Sequence, residues 1–416
     1  MKKPNLLVLG ASGGVAKTVL HYLTHYRNMF GKVVLLDPHD GVRADPYLNH
    51  KALNYMFVQK KIIVPEKERK KERKSTLSYH RLLKEHSVSI VLDLTDADSL
   101  PLLEATNNAG VSYLNTSLNT ETMTTFEIVS NVYKRRKTFN KASHILCAGM
   151  NPGIVNMWVR HGIEHYGVPQ EIVHFEYDTS RICGKRHPLI TWSIHEFLME
   201  AVLWPGGVMQ GKDAVKYFYP NALENGIDMK PILQPLFTVD KYPKGFPVLH
   251  EENVSLAQRY NIPSKFVYAI NMETMKALIS RYEKTGKVNH HDLVLADNVT
   301  AVLEGADSIG VLLEYSDKKV YYFNTLPNIA IIGSNATYTQ VAIGVCAALF
   351  TLVFDKLKNG VYFVEDLYHT HFKDYMFDNM RVQHFVFKKQ HGHLALEKYV
   401  PEIKFKRNYH LQHIYL

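Results

Sequence analysis

The chain has 416 residues, 46% of them apolar and 21% charged, and a net charge of +9. That length exceeds what one hydrophobic core usually supports and predicts two domains, while the composition excludes global disorder. Three separated cysteines, Cys147, Cys183 and Cys346, exclude a disulfide framework and a cysteine zinc site, and they fit a reducing, cytoplasmic compartment.

The chain opens MKKPNLLVLGASGG, where the apolar run Leu6–Leu9 stops at Gly10, too short for a secretory signal. It is expected to start directly on its first strand. Residues 5–9 (NLLVL) and 33–37 (VVLLD) are apolar runs of strand length, suited to a parallel sheet covered on both faces. Between them, Val15, Val19, Leu20 and Leu23 give a helix over Val15–Tyr26 its apolar stripe. Residues 60–74 hold eight Lys/Arg and three Glu, and the interleaved glutamates favour a solvated face over a nucleic-acid surface. Steering of an anionic partner is the alternative. A strand at Ser89–Leu94, a helix over Ser99–Ala109, and strands at Val111–Leu114 and Ser143–Ala148 continue an alternation that indicates a doubly wound sheet.

After Gly149 the runs lengthen and alternate, as in Glu171–Tyr177, Phe266–Ile270, Ser308–Tyr315 and Lys319–Asn324. They predict a mixed or antiparallel sheet, interrupted by helices near Ile194–Leu203 and Met272–Tyr282. Ala336–Phe354 carries no charge over 19 residues, so it reads either as a membrane span or as a buried helix. Its polar first turns, Thr337–Gln340, and the lack of a second such segment favour the buried helix. The expected fold class is therefore α/β, a Rossmann-type doubly wound parallel sheet over 1–152 completed by 335–365, with an α+β domain over 153–334. Residues 366–416 form a histidine- and aromatic-rich extension. Its His369-Thr-His371 and His391-Gly-His393 pairs share a face only on a strand, without an acid or cysteine at ligand spacing, so no metal is expected. His290 and His291 receive no role.

Gly10-Ala-Ser12-Gly13-Gly14-Val15-Ala16 follows a strand and starts a helix. Such a turn lets the backbone approach a pyrophosphate while helix amides face it, and a small Ala16 allows close helix–sheet packing. The spacing departs from strict G-x-G-x-x-G, and a glycine-rich turn without nucleotide is the competing reading. Asp37 at the end of the second strand strengthens the first, because a carboxylate there accepts ribose hydroxyls and disfavours a 2′-phosphate, pointing to NAD over NADP. Cys147-Ala148-Gly-Met-Asn151-Pro152-Gly-Ile-Val offers an Asn-Pro-Gly turn beyond a strand end, either an amide for a nicotinamide or only a turn. Further on, Trp192, Glu196 and Glu200 would share a helix face four residues apart, an aromatic ring plus carboxylates suited to an alkylammonium ion. A core tryptophan beside solvated glutamates is the plainer alternative.

Several of these blocks occur together: the N-terminal turn, CAGMNPGIV, Glu176-Tyr-Asp178-Thr179, Thr191–Glu200, His250-Glu251-Glu252, Phe266-Val-Tyr268-Ala, Asp307-Ser-Ile-Gly and Asn335-Ala-Thr337. In that order the sequence resembles bacterial homospermidine synthase, within the wider saccharopine dehydrogenase-like group, over roughly residues 5–366. The resemblance implies that two primary amines of putrescine type are joined by NAD-mediated oxidation, imine exchange and re-reduction. By position it implies Trp192 as the cation–π residue, Glu176 and Glu200 as amine-binding carboxylates, and Asp96, Asn151, His250 and Asp307 around them. It further implies Thr95, Asp96, Thr116, Ala148, Asn151 and Pro152 beside the cofactor, and a homodimer without nucleic-acid or membrane partners. Where the family carries a glutamate after its Tyr-x-Asp-Thr strand, this chain has Asn119, which removes one charge from a diamine site. Two further readings stand beside the synthase: a saccharopine dehydrogenase-type oxidoreductase coupling an amine to a carbonyl compound, and a non-catalytic nucleotide-binding protein.

Overall fold

The computed structural model describes residues 3–26, 28–61, 78–184, 187–298, 301–390 and 392–404. The basic run from residue 62 onward, His391 and the last twelve residues lie outside the described residues. Two compact units result: Met1–Met157 with Thr339–Asn379, and Trp158–Tyr338 with Met380–Lys404.

The first unit is a seven-stranded parallel sheet. Strands β1 (Leu6–Leu9), β2 (Val33–Asp37), β3 (Tyr55–Gln59), β4 (Ile90–Asp93), β5 (Ser112–Asn115) and β6 (Ser143–Leu146) are joined by Gly360–Phe363. The order runs Gly360–Phe363, β6, β5, β4, β1, β2, β3. β1, β2 and β4 are buried throughout, which explains their unbroken apolar runs. The order reverses between β1 and β4, and ligands of such sheets bind outside the carboxyl ends of the strands at that point. Both carboxyl ends carry polar turns, Gly10–Gly13 after β1 and Thr95–Asp98 after β4. Helix α1 (Gly14–Leu23) follows the first turn and α2 (Ser99–Asn108) the second.

The charge-free segment forms one helix, Ala336–Phe354, long and apolar enough to cross a membrane, but 72% of its most apolar window is buried in the protein. Phe350 shows why: its ring lies 4.8 Å from that of Tyr26 and 4.6 Å from that of Tyr375. From Thr339 onward this helix belongs to the first unit, together with His371–Asn379. The rest of the described tail forms two strands of the second unit.

The second unit is built on a ten-stranded mixed sheet. Its main strands are β7 (Glu171–Asp178), β8 (Gly206–Gly211), β9 (Ala214–Phe218), β10 (Lys244–Val248), β11 (Ser264–Ile270), β12 (Ala306–Glu314), β13 (Lys318–Pro327), β14 (Gln383–Gln390) and β15 (His393–Val400). The order is β9, β8, β11, β7, β12, β13, β14, β15, with β10 also paired to β11. β7 and β11 run parallel, while β12 is antiparallel to β7. Side chains alternate across a strand. One face buries Val173 and Phe175 of β7, Val267 and Ala269 of β11, and Leu312 of β12 against Met229, Ile232 and Leu233. The alternate positions therefore place His174, Glu176, Asp178, Tyr268 and Asp307 on the opposite face.

Candidate active site

In the first unit the glycine turn is held by backbone and one carboxylate. Gly10 has φ +73°, and a Cβ there would stand 2.5 Å from the Leu94 carbonyl oxygen, so only glycine fits. Gly13 precedes α1 and has no side chain to cap it, which leaves first-turn amides able to face an anion. Asp37 accepts the Ser12 N–H on Oδ2 at 3.0 Å and the His39 N–H on Oδ1 at 2.8 Å. Ser12 Oγ donates to the His39 carbonyl at 2.5 Å and accepts from the Gly41 N–H at 3.0 Å. The carboxylate expected to read a ribose thus also ties the loop after β2 to the glycine turn.

The turn after β4 is tied to the turn after β5. Buried Asp93 accepts from Thr95 Oγ1 at 2.7 Å and from the Tyr113 hydroxyl at 2.6 Å, and Asp96 beyond it is exposed. Asn119 donates Nδ2 to the Thr95 carbonyl at 2.9 Å and accepts Ser117 Oγ at 3.2 Å. A carboxylate could not make the first of these bonds, which gives the amide at this position a physical reason. After β6, the Cys147 N–H donates to Asn115 Oδ1 at 3.0 Å and the Ala148 N–H to the Asn115 carbonyl at 2.9 Å. The Gly149 N–H closes the Asn151-Pro152 turn on the Pro152 carbonyl at 2.9 Å. Thr116, Ala148, Asn151 and Pro152 all belong to this unit, as do Gly14 and Val15 at the start of α1.

In the second unit the polar face of the sheet is a buried cluster of acids. Asp178 lies opposite Asp307, and Glu176 lies between Tyr268 and Ile309 in register. Burial, with the charges of Glu176 and Asp178, holds the Asp307 carboxyl well above the usual range. Burial also raises Asp178, against hydrogen bonds from Ser180 and Thr191. Trp192 donates Nε1 to the Tyr268 hydroxyl at 3.2 Å, which orients the indole beside these acids.

The helix expected to carry Trp192, Glu196 and Glu200 on one face begins later. Ser193 Oγ accepts the Glu196 N–H at 3.2 Å and starts a short helix, α3 (Ile194–Leu198), so Trp192 precedes it. Glu200 sits in a wider turn, Met199–Leu203, and the spacing of four does not apply. Glu200 instead meets His250, its Oε1 3.2 Å from Nε2, while Glu252 Oε2 lies 3.5 Å from Nδ1. Burial alone would lower His250, but the two carboxylates outweigh it and hold the imidazole protonated well above its ordinary range. Burial would raise Glu252, but the charge of His250 and its contact with Glu252 outweigh that and lower it. His174 is pushed down to about 4 by burial. His250, Glu251 and Glu252 bring ligand atoms within 4.8 Å of one another, a set able to hold a metal. A protonated His250 fills the cationic role there.

Glu176, Trp192, Glu200, His250 and Asp307 are thus members of one unit, and Asp96 and Asn151 of the other. Asp178, Thr191, His174, Glu252 and Tyr268 received no role from the sequence. The strand HFEYD carried a signal for two of them, because period two places His174 and Asp178 on one face with Glu176.

A family model described as the saccharopine dehydrogenase NADP binding domain matches residues 6–147. Saccharopine dehydrogenase (L-Glu forming) from Saccharomyces cerevisiae superposes with a TM-score of 0.58 at 9% identity, covering 92% of this chain and 99% of that one. An amine dehydrogenase from Mycobacterium smegmatis gives a TM-score of 0.39 at 9% identity, covering 87% and 95%. No curated protein sequence matches the chain. The chain therefore has a saccharopine dehydrogenase-like fold with an NAD(P)-binding domain; homospermidine synthase in particular is not singled out.

Proposed function

We propose that the chain is a nicotinamide-dependent enzyme that makes or breaks a carbon–nitrogen bond of an aliphatic amine. One observation carries the reading: a buried sheet face holding Glu176, Asp178 and Asp307 beside Trp192 and Tyr268. Such a face attracts an alkylammonium ion and repels a carboxylate. The first unit suits the cofactor, because Gly10 admits no side chain and the amides opening α1 lack a side-chain cap. Gly10, Gly13 and Gly14 would hold its phosphates and Asp37 its ribose, and a nicotinamide held there supplies the hydride acceptor and donor.

Trp192, fixed by Tyr268, takes the ammonium on its ring, and Glu176 supplies countercharge. An ammonium must lose a proton before its carbon can be oxidised. His250, its imidazole held protonated by Glu200 and Glu252, is suited to give a proton, and a carboxylate of the sheet face is the base in this reading. Within this reading, joining of two primary amines with a recycled hydride is the finer form. A net oxidoreductase of the saccharopine dehydrogenase type is the second, favoured by the fold.

The test is turnover of putrescine, and of putrescine with carbonyl partners, followed by mass spectrometry. Product and ammonia from catalytic NAD support the synthase form, and NADH consumed in step with product supports the oxidoreductase. No turnover of any amine with either NAD or NADP defeats both. Trp192→Ala should raise the KM for amine about 30-fold, the equivalent of about 2 kcal/mol, with nucleotide binding unchanged.

A further inference from the structure

Four buried side chains stand in series on the polar face. Thr191 Oγ1 donates to Asp178 Oδ2 at 2.6 Å, Thr337 Oγ1 lies 3.1 Å from Thr191 Oγ1, and Thr337 Oγ1 lies 2.7 Å from Asp307 Oδ2. All four residues are buried. Their backbone is pinned: Asn335 donates Nδ2 to the Thr191 carbonyl at 2.8 Å and accepts the Tyr338 N–H at 2.8 Å. Asn328 Oδ1 accepts the Ala336 N–H at 2.9 Å. The two hydroxyls cannot easily turn to other partners.

Each threonine hydroxyl brings one proton and can accept others. With both aspartates ionised, Thr191 donates to Asp178 and Thr337 to Asp307, and the contact between the hydroxyls holds no proton. A third proton on Asp307 Oδ2 fills the series: Asp307 donates to Thr337, Thr337 to Thr191, and Thr191 to Asp178. Reversal of all three bonds places that proton on Asp178. The surroundings favour keeping it. Glu176 faces the pair from β7 and Tyr268 from β11, both within reach of its charge, and burial with these acids holds Asp307 well above the usual carboxyl range.

We propose that Asp178, Thr191, Thr337 and Asp307 form a proton relay that makes Asp307 the base toward the substrate ammonium. The proposal rests on the amine reading above. Asp307 Oδ2 passes its proton to Thr337, which passes its own to Thr191, which passes its own to Asp178. Asp307, now ionised, takes a proton from the ammonium on Oδ1, which has no hydrogen-bond partner among the described residues. One N–H bond breaks, one O–H bond forms on Asp307, the amine keeps the electron pair, and both hydroxyls end as they began. The reverse sequence returns the proton to the product amine.

Infrared difference spectra between the wild type and Asp307→Asn at neutral pH, in H2O and D2O, test the stored proton. A protonated-carboxyl stretch, shifted in D2O and altered in Thr337→Val, is expected. Thr191→Val and Thr337→Val should each lower kcat about 100-fold and move the acid limb of its pH profile, with KM little changed and the serine variants restoring the rate. Absence of the carboxyl band in folded wild-type protein overturns the relay. So do valine variants that bind nucleotide and keep the wild-type kcat and pH profile. If the wild type turns over no amine, the amine reading fails, while the infrared band still decides whether the proton is held; the same band decides if the valine variants do not fold.

Discussion

Asp37 of the first unit and Asp307 of the second are both buried acids, yet they are satisfied in opposite ways. Asp37 receives a backbone N–H on each oxygen, from Ser12 and His39. Asp307 meets the Thr337 hydroxyl on Oδ2, and its Oδ1 makes no hydrogen bond of good geometry among the described residues. A backbone amide donates and never gives its proton up, so it fixes charge in place. A hydroxyl both donates and accepts, so it lets a proton move. The first unit spends its polar groups on the shape of a turn, and the second keeps its polar groups under-satisfied where chemistry is proposed.

Two histidines sharpen that contrast with the largest expected effect. Burial pushes His144 of the first unit and His174 of the second each down to about 4. The folded state therefore binds fewer protons than the unfolded state between about pH 6.5 and 4. The stability each contributes is complete above pH 6.5 and is lost as pH falls toward 4, about 3 kcal/mol apiece. Either histidine replaced by leucine should flatten the acid limb of a urea-midpoint profile. At pH 8 the two should differ. His144 accepts the Tyr113 N–H at 3.2 Å and meets Asn107 Oδ1 at 3.1 Å; Asn107 Oδ1 keeps the Lys141 N–H, so His144→Leu strands the Tyr113 N–H at about 1–3 kcal/mol. His174 has no hydrogen-bond partner for either nitrogen among the described residues, so His174→Leu should cost little. Equal cost at pH 8 would break the contrast.

Gly10→Ala tests the first unit's half of the comparison. The added Cβ meets the Leu94 carbonyl at 2.5 Å in a left-handed conformation, for about 2 kcal/mol of strain. The expected outcome is a lower thermal midpoint and weakened NADH binding by fluorescence titration. A variant with wild-type affinity would remove the turn from the cofactor site.

Legibility follows the same division. NLLVL, GASGGVA and VVLLD are local patterns, and each was readable as strand, turn and strand because the physics that selects them is local. The apolar helix Ala336–Phe354 was readable as buried from its polar first turn. The start of α3 near Ile194 was readable as well, but the place of Trp192 was not, because the Ser193 hydroxyl caps the helix and leaves Trp192 outside it. Thr191 and Thr337 could not have been paired from sequence, since 146 positions separate them and the blocks that hold them gave neither a role. They meet through tertiary structure, Thr191 on Asp178 and Thr337 on Asp307, two acids that lie opposite in register. His250 was singled out with its neighbours, but its contact with Glu200 depends on the wide turn Met199–Leu203, which no spacing rule predicts.

Asp37→Asn gives the smallest and most discriminating effect. The amide keeps one carbonyl oxygen for either Ser12 or His39 and turns an NH2 toward the other, so one donor faces another donor. The loss should be about 1–2 kcal/mol, since a buried N–H is left without an acceptor. The charge is lost as well, and with it the repulsion of a 2′-phosphate. If Asp37 both ties the loop and reads the ribose, affinity for NADH falls while that for NADPH falls less or rises, so their ratio shifts toward NADPH. A lower urea midpoint with an unchanged ratio would confine Asp37 to the turn. The contrast with Asp307 would then be between an acid that only holds structure and one that holds a proton.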